Sequence, residues 1–146
     1  VVPLTIIDQW AREIKKYLPD VLVSECHGKK KDTTGDIVLT TYGIVRNAYS
    51  SMSTQFYSDW GRIVFDESHT IKSKKSVVCK ACTFIKANNR WCLSATPVSN
   101  NSFKSLESQL SMLQVRPFCD SRQYLNLFMG MDSVIVRRKH ILKKHI

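Results

Sequence analysis

Short β-rich runs alternate along this chain with runs of helical period. That alternation restricts it to an α/β fold on a parallel sheet flanked by helices. The β-rich runs are residues 21–23, 36–41 (DIVLTT), 62–65 (RIVF) and 90–94 (RWCLS), and Val1 and Val2 read as the tail of one more strand, broken by Pro3. Between them, residues 7–18 place Ile7, Trp10, Ile14 and Leu18 at helical spacing with Asp8 in the opening turn. Helices are also expected at 42–47, 76–86, 103–113 and 123–129, a basic, turn-rich loop at 26–35, and a polar surface connection at 48–59. The 146 residues suit one domain. No stretch approaches the roughly 18 consecutive apolar residues of a membrane span. The chain opens on Val1 with no signal-like segment, as expected of the interior of a longer protein.

Lys and Arg total 22 against 12 acids, a net charge of +10. Such an excess points towards a polyanionic partner, because cationic surfaces release counterions from phosphates. Lys29, Lys30 and Lys31 form either a solvated loop or part of that surface. Five cysteines include one C-x-x-C pair, Cys79 and Cys82, without the second pair that a zinc site needs. Both lie in a helical run, where cysteine packs as a small apolar residue, and scattered free thiols suit a reducing compartment. Trp10, Tyr42 and Trp91 are expected to pack in the core.

Chemistry concentrates where two β runs end. Residues 62–73, RIVFDESHTIKS, deliver Asp66, Glu67 and His69 at the carboxyl end of a strand, the edge of an open α/β sheet where ligands bind. An acid there can hold magnesium through water, and its neighbour can orient or deprotonate an attacking water. Acids are equally ordinary in the first turn of a helix. A second β run, in RWCLSATPVSNN (90–101), ends in Ser94 and Thr96 before Pro97. Its hydroxyls and amides can face the neighbouring strand end.

Together these segments resemble the Swi/Snf-type translocases of helicase superfamily two. D-E-S-H is similar to the family's D-E-x-H box, and LSATP to the motif linking hydrolysis to movement. VVPLTIIDQWAREIKKYLP is similar to its V-P-x-S-L-L-x-Q-W segment, and DIVLTTYGIV to D-V-V-L-T-T-Y. SLESQLSMLQVRPF resembles the helix and P-F that follow, and the likeness runs through residues 1–118. The R-W-C-L and P-F features resemble the branch of helicase-like transcription factors and post-replication repair ATPases, with viral global transactivators in the same broad group. The resemblance implies a RecA-like first motor lobe using ATP and magnesium, with Asp66 holding the metal through water and Glu67 activating water. It implies that His69, Ser94 and Thr96 couple nucleotide state to lobe movement. Pro3, Thr5, Thr40, Thr41 and Tyr42 would lie along a DNA backbone without reading bases. It further implies a nuclear setting (the host nucleus for a viral protein), chromatin or transcription partners, and no membrane.

Departures are Ser68 for Ala in the acid box, Ser94-Ala95 for T-G, and Val98-Ser99 for I-Q, with Asn100 kept. VIVRRK at 134–139 resembles L-R-R-T-K, with a plain basic tail as the competing reading. The phosphate-cradling G-x-x-x-x-G-K-[ST] is absent from the five-glycine sequence. The chain alone is therefore expected to be inactive, with hydrolysis a property of a longer protein. The rival is a non-catalytic, basic DNA- or protein-binding remnant of such a lobe.

Overall fold

A computed structural model describes residues 1–56, 58–97 and 103–116. The expected helix at 123–129, the P-F pair, Val98 to Asn100 and the basic tail lie outside them.

Four parallel strands carry the architecture: β1 (Val23–Cys26) pairs with β2 (Ile37–Thr40), and β3 (Trp60–Phe65) pairs with β4 (Ala87–Cys92). The first two residues join the pairs. Val2 bridges Thr41 in parallel and its amide donates to Thr40 O at 2.9 Å. On the other side, Val1 N donates to Val64 O at 2.7 Å and Asp66 N donates to Val1 O at 2.9 Å. The layer therefore reads β1, β2, residues 1–2, β3, β4, and the RecA-like parallel expectation holds.

Helix α1 (Ile7–Tyr17) covers one face, packing Ile7, Trp10 and Ile14 against Val2, Leu39 and Val23. Helices α2 (Tyr42–Ser50), α3 (Val77–Phe84) and α4 (Phe103–Met112) cover the other, where Cys26, Val45, Ile63, Phe65, Cys79 and Met112 form the main core. Thr41 Oγ1 caps α2 by accepting from Ile44 N, and Ser76 Oγ caps α3 by accepting from Cys79 N. Each cap satisfies an amide that the first turn leaves open. In α4 the buried residues are Ser105, Ser108, Gln109, Ser111 and Met112, while Leu106 and Leu110 are half-buried. Small residues on that face let α4 approach closely, as the Cys79 Sγ contact to Ser108 O at 3.7 Å shows.

Several sequence boundaries shift. The first expected strand, 21–23, is displaced to Val23–Cys26, and the expected loop begins only after Cys26. Ser24 interrupts the apolar run yet is buried, because its Oγ donates to Asp32 and accepts from Gly35 N. Gly35 is required there, since a Cβ would meet Leu22 O and Ser24 atoms at 2.7 Å. The 48–59 segment is not simply a surface connection: Ala48 closes the buried face of α2 and Phe56 is 6% exposed in the core. Trp91, expected inside, is 51% exposed on β4, where the guanidinium of Arg62 stacks over its ring at 4.8 Å. Lys29, Lys30 and Lys31 are exposed, with Lys30 paired to Glu25.

Cys79 and Cys82 are fully buried, as expected of core residues. Desolvation pushes the Cys82 thiol up to about 12 and Cys92 up to about 11. Thiolate is the reactive species, so both thiols are inert at neutral pH. Iodoacetamide at pH 8 is expected to modify Cys82 only after denaturation, read by peptide mass spectrometry. Stoichiometric labelling of Cys82 in the folded chain would contradict the core described here.

Candidate functional site

The site forms where β3 and β4 end side by side. Leu93 N donates to Phe65 O at 2.8 Å and Ser68 N donates to Leu93 O at 3.1 Å, so the ladder carries on past both strands. The acid loop and the S-A-T-P turn are thereby locked together before any side chain is considered.

Asp66 is held from four directions. Its amide donates to Val1 O, and its carbonyl accepts from Tyr42 Oη at 2.6 Å. Its Oδ1 accepts from Glu67 N at 2.9 Å, and its Oδ2 accepts from Trp10 Nε1 at 2.7 Å. Burial pushes the Tyr42 phenol far above its ordinary value, which keeps it a donor. Each carboxylate oxygen takes one N–H, leaving a second lone pair on each for water or metal. Asp66 is half-buried.

Glu67 adopts the left-handed conformation, φ 49° and ψ 39°. For a side chain larger than glycine this costs on the order of 1–3 kcal/mol and persists only where the surroundings impose it. The turn throws the carboxylate back over the 3-10 turn Ser68–Thr70, where Glu67 Oε2 lies 3.1 Å from His69 Nδ1. The same Nδ1 lies 2.9 Å from Ser94 Oγ. One ring nitrogen of His69 therefore meets both the Glu67 carboxylate and the Ser94 hydroxyl. Ser94 Oγ also accepts from Thr96 N at 3.2 Å. Glu67, His69, Ser94 and the Thr96 amide thus form one chain of contacts across two strand ends.

Ser68 extends this link into the core. It is fully buried, and its Oγ donates to Leu93 O at 3.1 Å and lies 3.3 Å from Gln109 Oε1. Gln109 Nε2 donates to Pro97 O at 2.8 Å, tying α4 to the end of the turn. An alanine at position 68 has no such hydroxyl.

The remaining positions divide. Pro3 precedes the 3-10 turn Leu4–Ile6 that follows the joining dipeptide, and exposed Thr5 lies within that turn. Thr40 is 3% exposed with its hydroxyl donated to Cys26 O at 2.8 Å, and Thr41 is the buried cap of α2. The side chains of Thr40, Thr41 and Tyr42 are therefore committed to contacts inside the lobe. Pattern reading missed Trp10, Ser68 and Gln109 as parts of the site. Trp10 lies on the apolar stripe of α1, and nothing in a helical period separates a packing indole from a donating one. A groove of about 510 Å³ is lined by Val2, Trp10, Leu39, Thr40, Ile63 and Val64 among others; Asp66, Glu67, His69 and Ser94 are not part of its lining.

An α/β lobe with a D-E-x-H turn contacting an S-A-T-P turn at adjacent parallel strand ends is the arrangement expected of a helicase-type motor lobe. Residues 1–144 match the SNF2-related domain, and the chain belongs to that family. It is 38% identical over 131 residues to the DNA repair protein RAD5B of Arabidopsis thaliana, covering 82% of this chain and 10% of that protein. It is 32% identical over 128 residues to transcription termination factor 2 of Drosophila melanogaster, covering 82% and 12%. A probable global transactivator of Orgyia pseudotsugata multicapsid polyhedrosis virus is 30% identical over 127 residues, covering 81% and 25%. The Sulfolobus solfataricus SWI2/SNF2 ATPase core in complex with dsDNA superposes with a TM-score of 0.66 at 28% identity, over 77% of this chain and 24% of that one. The chain therefore corresponds to part of a SWI2/SNF2 ATPase core and spans about a tenth to a quarter of the curated relatives named here.

Proposed function

We propose that this chain is the acid-box portion of the first motor lobe of an ATP-dependent, duplex-DNA-stimulated translocase, acting in repair or transcription in the nucleus. The observation that carries this reading is the contact chain Glu67–His69–Ser94–Thr96 between two parallel strand ends.

Asp66 suits a magnesium ion bound through water, since each oxygen keeps a free lone pair and magnesium takes one or two carboxylates with waters and phosphate oxygens. Such an ion would neutralise charge on the phosphates of ATP. Glu67 accepts the proton of the attacking water, and His69 orients the carboxylate by donating from Nδ1. Departure of phosphate alters the charge facing Glu67, and the His69–Ser94 link passes that change to the S-A-T-P turn. The sequence supplies no G-x-x-x-x-G-K-[ST] loop, so the phosphates are held by another part of the protein.

For DNA we propose that Pro3, Thr5 and the β2–α2 junction at Thr40, Thr41 and Tyr42 follow the phosphate backbone. Thr5 offers a hydroxyl, whereas Thr40, Thr41 and Tyr42 contribute through the backbone amides they position. Contacts of this kind carry no sequence information, which suits movement along any duplex.

The test is ATP turnover by the full-length protein with duplex DNA, single-stranded DNA and RNA in turn. Duplex DNA is expected to stimulate most, and the 146-residue chain alone to be inactive. Preferential stimulation by RNA would overturn the substrate assignment. Magnesium-dependent hydrolysis by the isolated chain would overturn the division of labour. Absence of turnover in the full-length protein, with DNA binding intact, would favour a non-catalytic DNA-binding role.

A further inference from the structure

We propose that Trp10 is a positioning residue for the metal-holding carboxylate: its indole N–H fixes the rotation of Asp66, and so sets magnesium affinity at the site. The inference rests on the reading of Asp66 as the magnesium residue and adds a residue to it.

Three observations carry it. The Trp10 Nε1 to Asp66 Oδ2 distance is 2.7 Å across 56 residues of sequence, so the contact is a product of the fold and not of a local turn. A charge-assisted bond of this length is the strong kind. Second, the indole is the only side-chain donor on the carboxylate among the described residues; the other oxygen is held by the adjacent amide of Glu67. Removing it frees rotation about the Asp66 side chain while leaving the backbone anchors from Val1 and Tyr42 in place. Third, the α1 ring seat is built to hold the indole still: Trp10 packs against the cluster of Val2, Ile7 and Leu39 beneath the joining dipeptide. An indole N–H has no acceptor capacity, so it cannot compete for the metal; it takes one lone pair and leaves the rest.

Outer partners that orient a metal-binding carboxylate typically change metal affinity by about 10–100-fold when removed. Trp10→Phe keeps an aromatic ring on the apolar stripe and deletes the donor, at the loss of part of the indole volume. In the full-length protein it is expected to raise the magnesium concentration for half-maximal ATPase about tenfold, by the same argument, in a chain that still unfolds cooperatively. A second readout needs no activity. In ¹⁵N spectra of the 146-residue chain, the three tryptophans give three indole signals, and Trp10→Phe identifies one of them. Trp60 provides an internal contrast, since its buried Nε1 has no acceptor among the described residues.

Asp66→Asn is expected to move the Trp10 indole proton upfield, because an amide oxygen is a weaker acceptor than a carboxylate. A Trp10 signal indifferent to Asp66→Asn would overturn the positioning role. In the full-length protein, a magnesium requirement left unchanged by Asp66→Asn would instead overturn Asp66 as the metal residue, and the positioning role with it. Trp60→Phe and Trp91→Phe assign the Trp10 signal by elimination, and Trp10 is intact in the Asp66 variant, so the test survives a Trp10→Phe chain that fails to fold.

Discussion

Glu67→Gln in the full-length protein is expected to lower DNA-stimulated ATP turnover by about 10²–10⁴-fold, the usual contribution of a positioned general base. Nucleotide and DNA affinities are expected to be retained, because Gln is isosteric and the phosphate contacts lie elsewhere in the protein. The substitution also spares the fold. Gln meets the same backbone cost at φ 49° as Glu, and its side-chain oxygen can still accept from His69 Nδ1. What it loses is the negative charge that takes a proton from water. Turnover at saturating DNA, with affinity for a fluorescent nucleotide measured in parallel, separates these effects. Turnover equal to that of the unaltered protein would remove Glu67 from the chemistry. A fall in affinity matched by the fall in turnover would make it a binding residue instead.

Arg90→Met is expected to be the most damaging single change to stability among those considered, at about 3 kcal/mol, from several charge-assisted bonds worth roughly 1.5–3 each and partly replaced by water. Its guanidinium donates to three carbonyl oxygens at 2.5 Å: Cys82 and Ile85 around the end of α3, and Met112 at the end of α4. The last carbonyls of a helix have no partner within it, and a cation there also complements the helix dipole. One side chain on β4 thus terminates two helices and pins both to the sheet, with the guanidinium also 5.6 Å from the centre of the Phe65 ring. Methionine keeps an unbranched apolar side chain and leaves these oxygens without their donors. Urea unfolding of the 146-residue chain measures the effect as a lower midpoint at constant slope. Arg90→Lys is expected to recover only part of it, because one ammonium cannot reproduce a planar fork. An unchanged midpoint in Arg90→Met would mean that water replaces the guanidinium without loss.

The two residues show different degrees of legibility. Glu67 stands in an acidic pair at the end of an apolar run, and a strand end in a parallel sheet is where such a pair does chemistry. Arg90 opens RWCLS and carries no mark of its role, since its three acceptors come from residues 5, 8 and 22 positions away. Serine in the acid box read as a minor departure; in the fold it is a fully buried link between β3, β4 and α4. Tyr42 and Thr40 read as phosphate contacts from their place in a motif, while their hydroxyls point to Asp66 O and Cys26 O.

By itself the sequence determined the order of strands and helices, the parallel α/β class, the family, and the placing of Asp66, Glu67, His69 and Ser94 at strand ends. Those features follow from local periodicity and from short motifs, which are properties of neighbours along the chain. Only the tertiary structure decided that residues 1–2 join two strand pairs, that Glu67 is left-handed, that His69 spans Glu67 and Ser94, and that Trp10 holds Asp66. Each of these is a hydrogen bond or a dihedral imposed by packing between segments distant in sequence, and no local pattern encodes where an indole N–H will find its acceptor.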